Sequence, residues 1–221
     1  MLAYIRAHMQ TDPLSITFEL LILIFSIVIH EVAHGYAANS LGDPTARLSG
    51  RLTLNPIKHI DLVGSILVPA FLILTNAGIL FGWAKPVPYN PFNLKNQRWG
   101  EAIVAVAGPA TNLFLAVLLG LIARFGAGTL PDPFITIATV ASFVNLFLGL
   151  FNLIPLPPLD GYTTLRGILP YRLSLYLREF EDRVRGGGIM SLILILLVFS
   201  FFFAGPFSLL VNYLFAILIG N

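Results

Sequence analysis

Five apolar runs divide the chain: residues 16–40, 62–81, 101–125, 134–154 and 189–220. Polar stretches separate them. A helix rises 1.5 Å per residue, so a run of about twenty apolar residues matches the hydrocarbon thickness of a bilayer. The pattern predicts an all-α polytopic membrane protein with about five to six apolar helical segments. The run 62–81 carries Gly64, Pro69, Asn76 and Gly78, a composition that suits a segment dipping into the membrane and returning. The run 189–220 is broken by Gly205-Pro206, which predicts either a hairpin of two thin helices or one kinked span. Between the first two runs, Arg47 to Pro56 partly alternates polar and apolar residues, the signal of a short β strand or hairpin at the cytoplasmic face. Gly82 to Pro91 is too rich in proline for a helix. Tyr162 to Gly188 is the most charged stretch and reads as an interfacial, partly helical segment. Residues 1–221 form one membrane-embedded domain on this reading. Its core spans are about 16–40, 101–125 and 134–160, with 62–81 and 189–220 accessory.

Composition agrees with the pattern. The chain has 221 residues, 57% hydrophobic and 11% charged, with a mean hydropathy of +0.84. That excludes an ordinary soluble domain. Cysteine is absent, which excludes disulfides and thiolate metal sites. Nothing points to nucleic acid. Met1 to Pro13 shows no cleavable leader, and the first apolar run carries chemistry of its own.

That chemistry is His30-Glu31-Val32-Ala33-His34, set inside the first run. On a helix the two histidines stand one turn apart on one face, with Glu31 beside them. His-Glu-x-x-His is the pattern of a zinc peptidase: the imidazoles hold the metal and the glutamate serves as base. Ionisable groups this deep in an apolar helix are costly and face a bundle interior or water.

Two histidines do not complete a catalytic zinc site, which takes three protein ligands. Asp160 is the preferred third. It follows Pro155-Leu156-Pro157-Pro158-Leu159, where the prolines must unwind the end of a span and can aim a carboxylate inward. Asp43, Asp61 and Glu101 lie at span ends or in loops without such framing. Asn112, near Pro109, is a polar side chain in an apolar span, fit for an interhelical hydrogen bond or a site role. Asn145 and Asn152 lie in the following span. His59 reads as a loop residue and is kept as a candidate supporting group.

Orientation follows from the positive charges. If 62–81 re-enters, Arg47, Arg51, Lys58, Lys85, Lys95, Arg98 and the five arginines after Asp160 share one side, leaving Arg6 and Arg124 opposite. The positive-inside rule makes the crowded side cytoplasmic. The same topology puts the end of the His span and the Asp160 turn together. The expectation is a multi-pass protein of the cell membrane whose active site opens toward the cytoplasm.

Three motifs together give a resemblance. They are His30-Glu31-Val32-Ala33-His34-Gly35, Ala107-Gly108-Pro109-Ala110-Thr111-Asn112, and Asn152-Leu153-Ile154-Pro155-Leu156-Pro157-Pro158-Leu159-Asp160-Gly161. In this order they resemble the site-2 protease family of intramembrane zinc metalloproteases, in a small prokaryotic-type form without a sensing module. Gly82 to Pro91 is similar to one branch of that family. The resemblance implies one Zn2+ per chain on His30, His34 and Asp160, with Glu31 as catalytic base. It implies that Asn112 and Asn152 line the substrate path or steady the reacting groups. Tyr162 departs from the second glycine that many members carry after the Asp-Gly pair.

The activity expected is hydrolysis of peptide bonds in or near transmembrane segments. The partners expected are a single-span or few-span membrane-protein substrate and the lipid bilayer, with a homo-oligomer left open. The rival reading is a metal-ion or small-solute transporter using the same His and Asp ligands. Glu31 separates the two, because a permeation site needs no general base.

Overall fold

The computed structural model describes residues 13–67, 74 and 84–220. Helix α1 (Pro13–Ser40) carries the His-Glu-x-x-His motif, and the short helix α2 (Thr45–Leu48) follows its end. After irregular chain come α3 (Gln97–Gly126), α4 (Asp132–Asn152) and α5 (Asp160–Ile168). Then α6 (Tyr171–Gly186) leads into α7 (Gly188–Val198), a π-helical turn (Phe199–Phe203) and α8 (Ala204–Ile219).

Four helical runs among the described residues are long and apolar enough to cross a membrane: Thr17–Ser40, Trp99–Gly126, Asp132–Asn152 and Ile193–Ile219. The last stretch is thus one helical run, not a hairpin. Pro206 falls at the third position of α8, where its missing N–H disturbs little, and the π turn just before it absorbs the mismatch. Of the expected re-entrant segment, Leu62–Leu67 forms a π-helical turn. The remainder to Phe81, apart from Leu74, lies outside the described residues, and so does the re-entry itself.

The strand expected over Arg47 to Pro56 is replaced by local turns. Arg47 and Leu48 close α2, and the amides of Leu48, Ser49, Gly50 and Arg51 donate to Pro44, Thr45, Arg47 and Ala46. The Asn55 amide donates to Thr53 Oγ1. Backbone donors spent within a few residues are not free to pair with another strand, whatever the side-chain alternation suggests. No strand occurs among the described residues.

Helix α3 is the centre of the bundle, packed against α1, α4 and α5, with α8 on its outer end. In lipid there is little hydrophobic gain between helices, so close fit must hold them. Small residues supply it: Ala116 is fully buried with Leu146, Val211 and Phe215, and Ser142 donates across to the Ala116 carbonyl. Large side chains point outward instead, among them Phe18, Phe25, Phe114, Phe125 and Phe201. That inversion suits a hydrocarbon surrounding.

Charge anchors the other end. Glu101 at the start of α3 is buried and pairs with Arg166 of α5 at 2.9 Å and with Arg178 of α6 at 2.5 Å. Arg166 also approaches Glu181 at 3.4 Å. Tyr162 is buried in the same seam and donates its hydroxyl to the Leu177 carbonyl. These contacts hold α5, and with it Asp160, against α3.

Candidate metal centre

Each motif residue is placed by a distinct local device. His30 and His34 project from one face of α1 toward α3, their rings edge to face with centroids 4.6 Å apart. Helix α3 comes close because residue 108 is glycine. A Cβ there would lie 2.5 Å from His34 Nε2 and 2.7 Å from His30 Cε1, so even alanine would displace the rings. Pro109 cannot donate to the Ala105 carbonyl, and the neighbouring carbonyl, Val104 O, accepts from His34 Nδ1 at 2.7 Å.

Asp160 is the first residue of α5. The proline-rich segment before it folds back so tightly that a Cβ at residue 161 would collide with the Leu153 and Ile154 carbonyls. Glycine after the aspartate therefore lets the unwound end of α4 turn into α5 and present the carboxylate to α1. Asp160 Oδ2 lies 3.0 Å from His30 Nε2 and 3.3 Å from His34 Nε2, and the two Nε2 atoms are 3.0 Å apart.

The chemistry of this triangle fits a metal. His34 Nδ1 faces a carbonyl and must carry its proton, so the neutral ring directs a lone pair from Nε2 into the triangle. His30 Nδ1 lies 2.5 Å from Asn112 Oδ1, which gives it the same tautomer. Two imidazole lone pairs and a carboxylate oxygen aimed at one point repel each other and are stabilised together by a cation. Tetrahedral zinc with bonds of about 2.0–2.1 Å sets its ligands roughly 3.3 Å apart, near the separations found. His30, His34 and Asp160 form a group that could hold a metal ion.

The remaining expected residues fall in different places. Asn112 is fully buried and touches His30 directly. Asn152 donates to the Leu148 carbonyl of its own helix. His59 is buried and bonds the Thr53 carbonyl through Nε2. Glu31 Oε2 accepts from the Val87 amide at 2.9 Å.

Val87 belongs to a strap, residues 84–90, laid along α1. Prolines 86 and 88 keep it extended. Lys85 N donates to the His59 carbonyl, and buried Arg51 donates to the Lys85 and Pro86 carbonyls at 2.7 and 3.3 Å. Farther along, Asp43 accepts from the Asn90 amide and from Asn93 Nδ2. The sequence alone gives Arg51, Asn145 and Val87 no site role. A buried arginine in a loop reads like any surface arginine, and a backbone amide leaves no trace in residue type.

Comparison with known proteins gives several relatives. YwhC of Bacillus subtilis, provisionally named a zinc metalloprotease, is 40% identical over 183 residues, covering 77% of this chain and 78% of its own length. Rip2 of Mycolicibacterium smegmatis, provisionally named the same way, is 34% identical over 173 residues, 74% of this chain and 63% of its own. Zinc metalloprotease MJ0392 of Methanocaldococcus jannaschii is 27% identical over 178 residues, 80% of this chain and 42% of its own. No family model matches the chain. No solved structure matches it.

Proposed function

Because the chain belongs to the site-2 protease family of zinc metalloproteases, we propose that it cleaves peptide bonds in or near the transmembrane segments of membrane-protein substrates. His30, His34 and Asp160 would hold the zinc. The observation that carries this reading is the convergence of those three side chains, two from the apolar helix α1 and one from the start of α5. A single-span or few-span protein is the substrate class that can present a bond at such a site.

Bound there, zinc supplies a Lewis acid that lowers the pKa of a water toward neutrality and polarises a peptide carbonyl. The chain's own residues do the rest. Glu31 follows a ligand directly, and its Oε2 is steadied by the Val87 amide, leaving Oε1 to accept the proton of the attacking water. The same carboxyl then returns the proton to the leaving amine. Asn112 and Val104 hold the imidazole tautomers that keep both Nε2 atoms available. The substrate must unwind first, because a helical segment keeps its amides in its own hydrogen bonds.

The charge distribution of the loops supports a site opening toward the cytoplasm of the cell membrane. A chain without cysteine makes that testable. Glu179→Cys, on the exposed face of α6, should label from the cytoplasmic side only; labelling from outside alone would reverse the orientation.

The activity itself is tested with purified protein and candidate single-span substrates. Cleavage should stop with a zinc chelator, return when zinc is restored, and be absent in Glu31→Gln. Cleavage that survives the chelator and Glu31→Gln would overturn the proposal.

A further inference from the structure

Three helices meet at a buried cluster behind His30, of which the catalytic reading uses only Asn112. Ser26 of α1, Asn112 of α3 and Asn145 of α4 are 3%, 0% and 2% exposed. Asn145 Nδ2 donates to the Ala141 carbonyl at 2.8 Å and to Ser26 Oγ at 2.9 Å. Asn112 Nδ2 donates to Asn145 Oδ1 at 2.7 Å and to the Ser26 carbonyl at 3.3 Å. Asn112 Oδ1 faces His30 Nδ1.

A carboxamide can be turned end for end, so its direction must be set by its partners. Backbone carbonyls only accept. The Ala141 carbonyl therefore claims the Asn145 amino group and turns its oxygen toward Asn112. That oxygen, with the Ser26 carbonyl, claims the Asn112 amino group and turns the Asn112 oxygen toward His30. The oxygen accepts a proton from Nδ1, and the His30 lone pair is left on Nε2, facing Asp160 and His34. The direction of every bond in the chain follows from two backbone carbonyls.

We propose that Asn145 is a positioning residue for the metal centre: acting through Asn112, it fixes the tautomer of His30. This rests on the zinc-site reading above. Asn145 touches neither the metal ligands nor substrate, and what it supplies is an acceptor for the Asn112 amino group.

Zinc affinity of the full-length protein in detergent, measured by chelator competition, tests this, together with the visible absorption of the cobalt-substituted protein. Outer partners of metal-bound histidines typically change affinity about 10–100-fold. Because the Ser26 carbonyl retains part of the hold on Asn112, Asn145→Leu should weaken zinc binding about tenfold and alter the cobalt bands. Asn145→Asp keeps an oxygen toward Asn112 and should bind zinc nearly as wild type does. Ser142→Ala removes a buried hydrogen bond between the same two helices and should change neither readout. With Asn112→Ala already in place, Asn145→Leu should add less than about twofold, since coupled neighbours are non-additive. If the leucine variant is not recovered folded, Asn145→Ala carries the same expectation. Equal affinity in wild type and Asn145→Leu, or an aspartate variant as weak as the leucine one, would overturn the relay. A wild-type chain that takes up no zinc would overturn the site itself, a different result.

Discussion

On one side of the imidazole pair, every supporting contact comes from a packed span. Asn112, Asn145 and Ser26 hydrogen-bond to one another, and Gly108 brings the α3 backbone against the rings. On the other side, Glu31 is held by one amide of an extended strap, and the strap is held by Arg51, the His59 carbonyl and Asp43. The proposed ligands are thus fixed by packed helices, and the proposed base by irregular chain. Spans packed on small residues shift together or not at all. A strap tethered at a few main-chain points can be displaced without unpacking a helix.

The largest effects should separate the two sides outright. Asp160→Asn weakens the ligand set and should lose zinc, whereas Glu31→Gln should keep zinc and lose about 10²–10⁴-fold in turnover. Metal content and cleavage rate, measured on the same preparations, check this. If both variants lost zinc equally, the two sides would not be separable.

Gly108→Ala comes next. The added methyl meets both rings, so zinc affinity should fall at least about tenfold. Chelator competition reads it.

Arg51→Ala tests the strap. Hydrogen bonds from a charged donor contribute about 1.5–3 kcal/mol, so losing this tether should cut turnover by about tenfold to a hundredfold while zinc stays bound. A fall in zinc content to match the fall in rate would merge the two regions.

The smallest effect lies at the far end of the strap. Burial alone would raise the pKa of Asp43, but hydrogen bonds from Thr45, Asn93 and Asn90 outweigh it and hold the carboxyl below its ordinary value. A depressed folded-state pKa stabilises the fold above the unfolded value, about 3.9, and that contribution is lost as pH falls through the folded pKa. Asp43→Asn should flatten the acid limb of a stability curve below about pH 4 and leave zinc binding at neutral pH unchanged.

How much of this was legible in the sequence differs by residue. The His-Glu-x-x-His turn announces itself, because helical spacing alone puts both imidazoles on one face. Asp160 was findable from the prolines that unwind the chain before it. That Asn145, and not Asn152, bonds Asn112 was not. They are seven residues apart, nearly two full turns, and so share a face of α4 and differ only in depth. Depth is set by how α3 seats against α4, through contacts such as Gly149 on Leu113, which no local pattern reveals. The missing strand over Arg47 to Pro56 has the opposite cause. Its alternation is genuine, but Asp43 and the short helix α2 capture the backbone first.

At residue 108 no side-chain atom separates the α3 main chain from the two rings, so the seam between α1 and α3 admits no roll. Advancing α3 by one residue, roughly 100° of turn, would drive the Ala107 methyl or the Pro109 ring toward the imidazoles. On the proposed function, any opening that admits an unwound peptide would lie elsewhere around the bundle, with this seam as its stationary jaw.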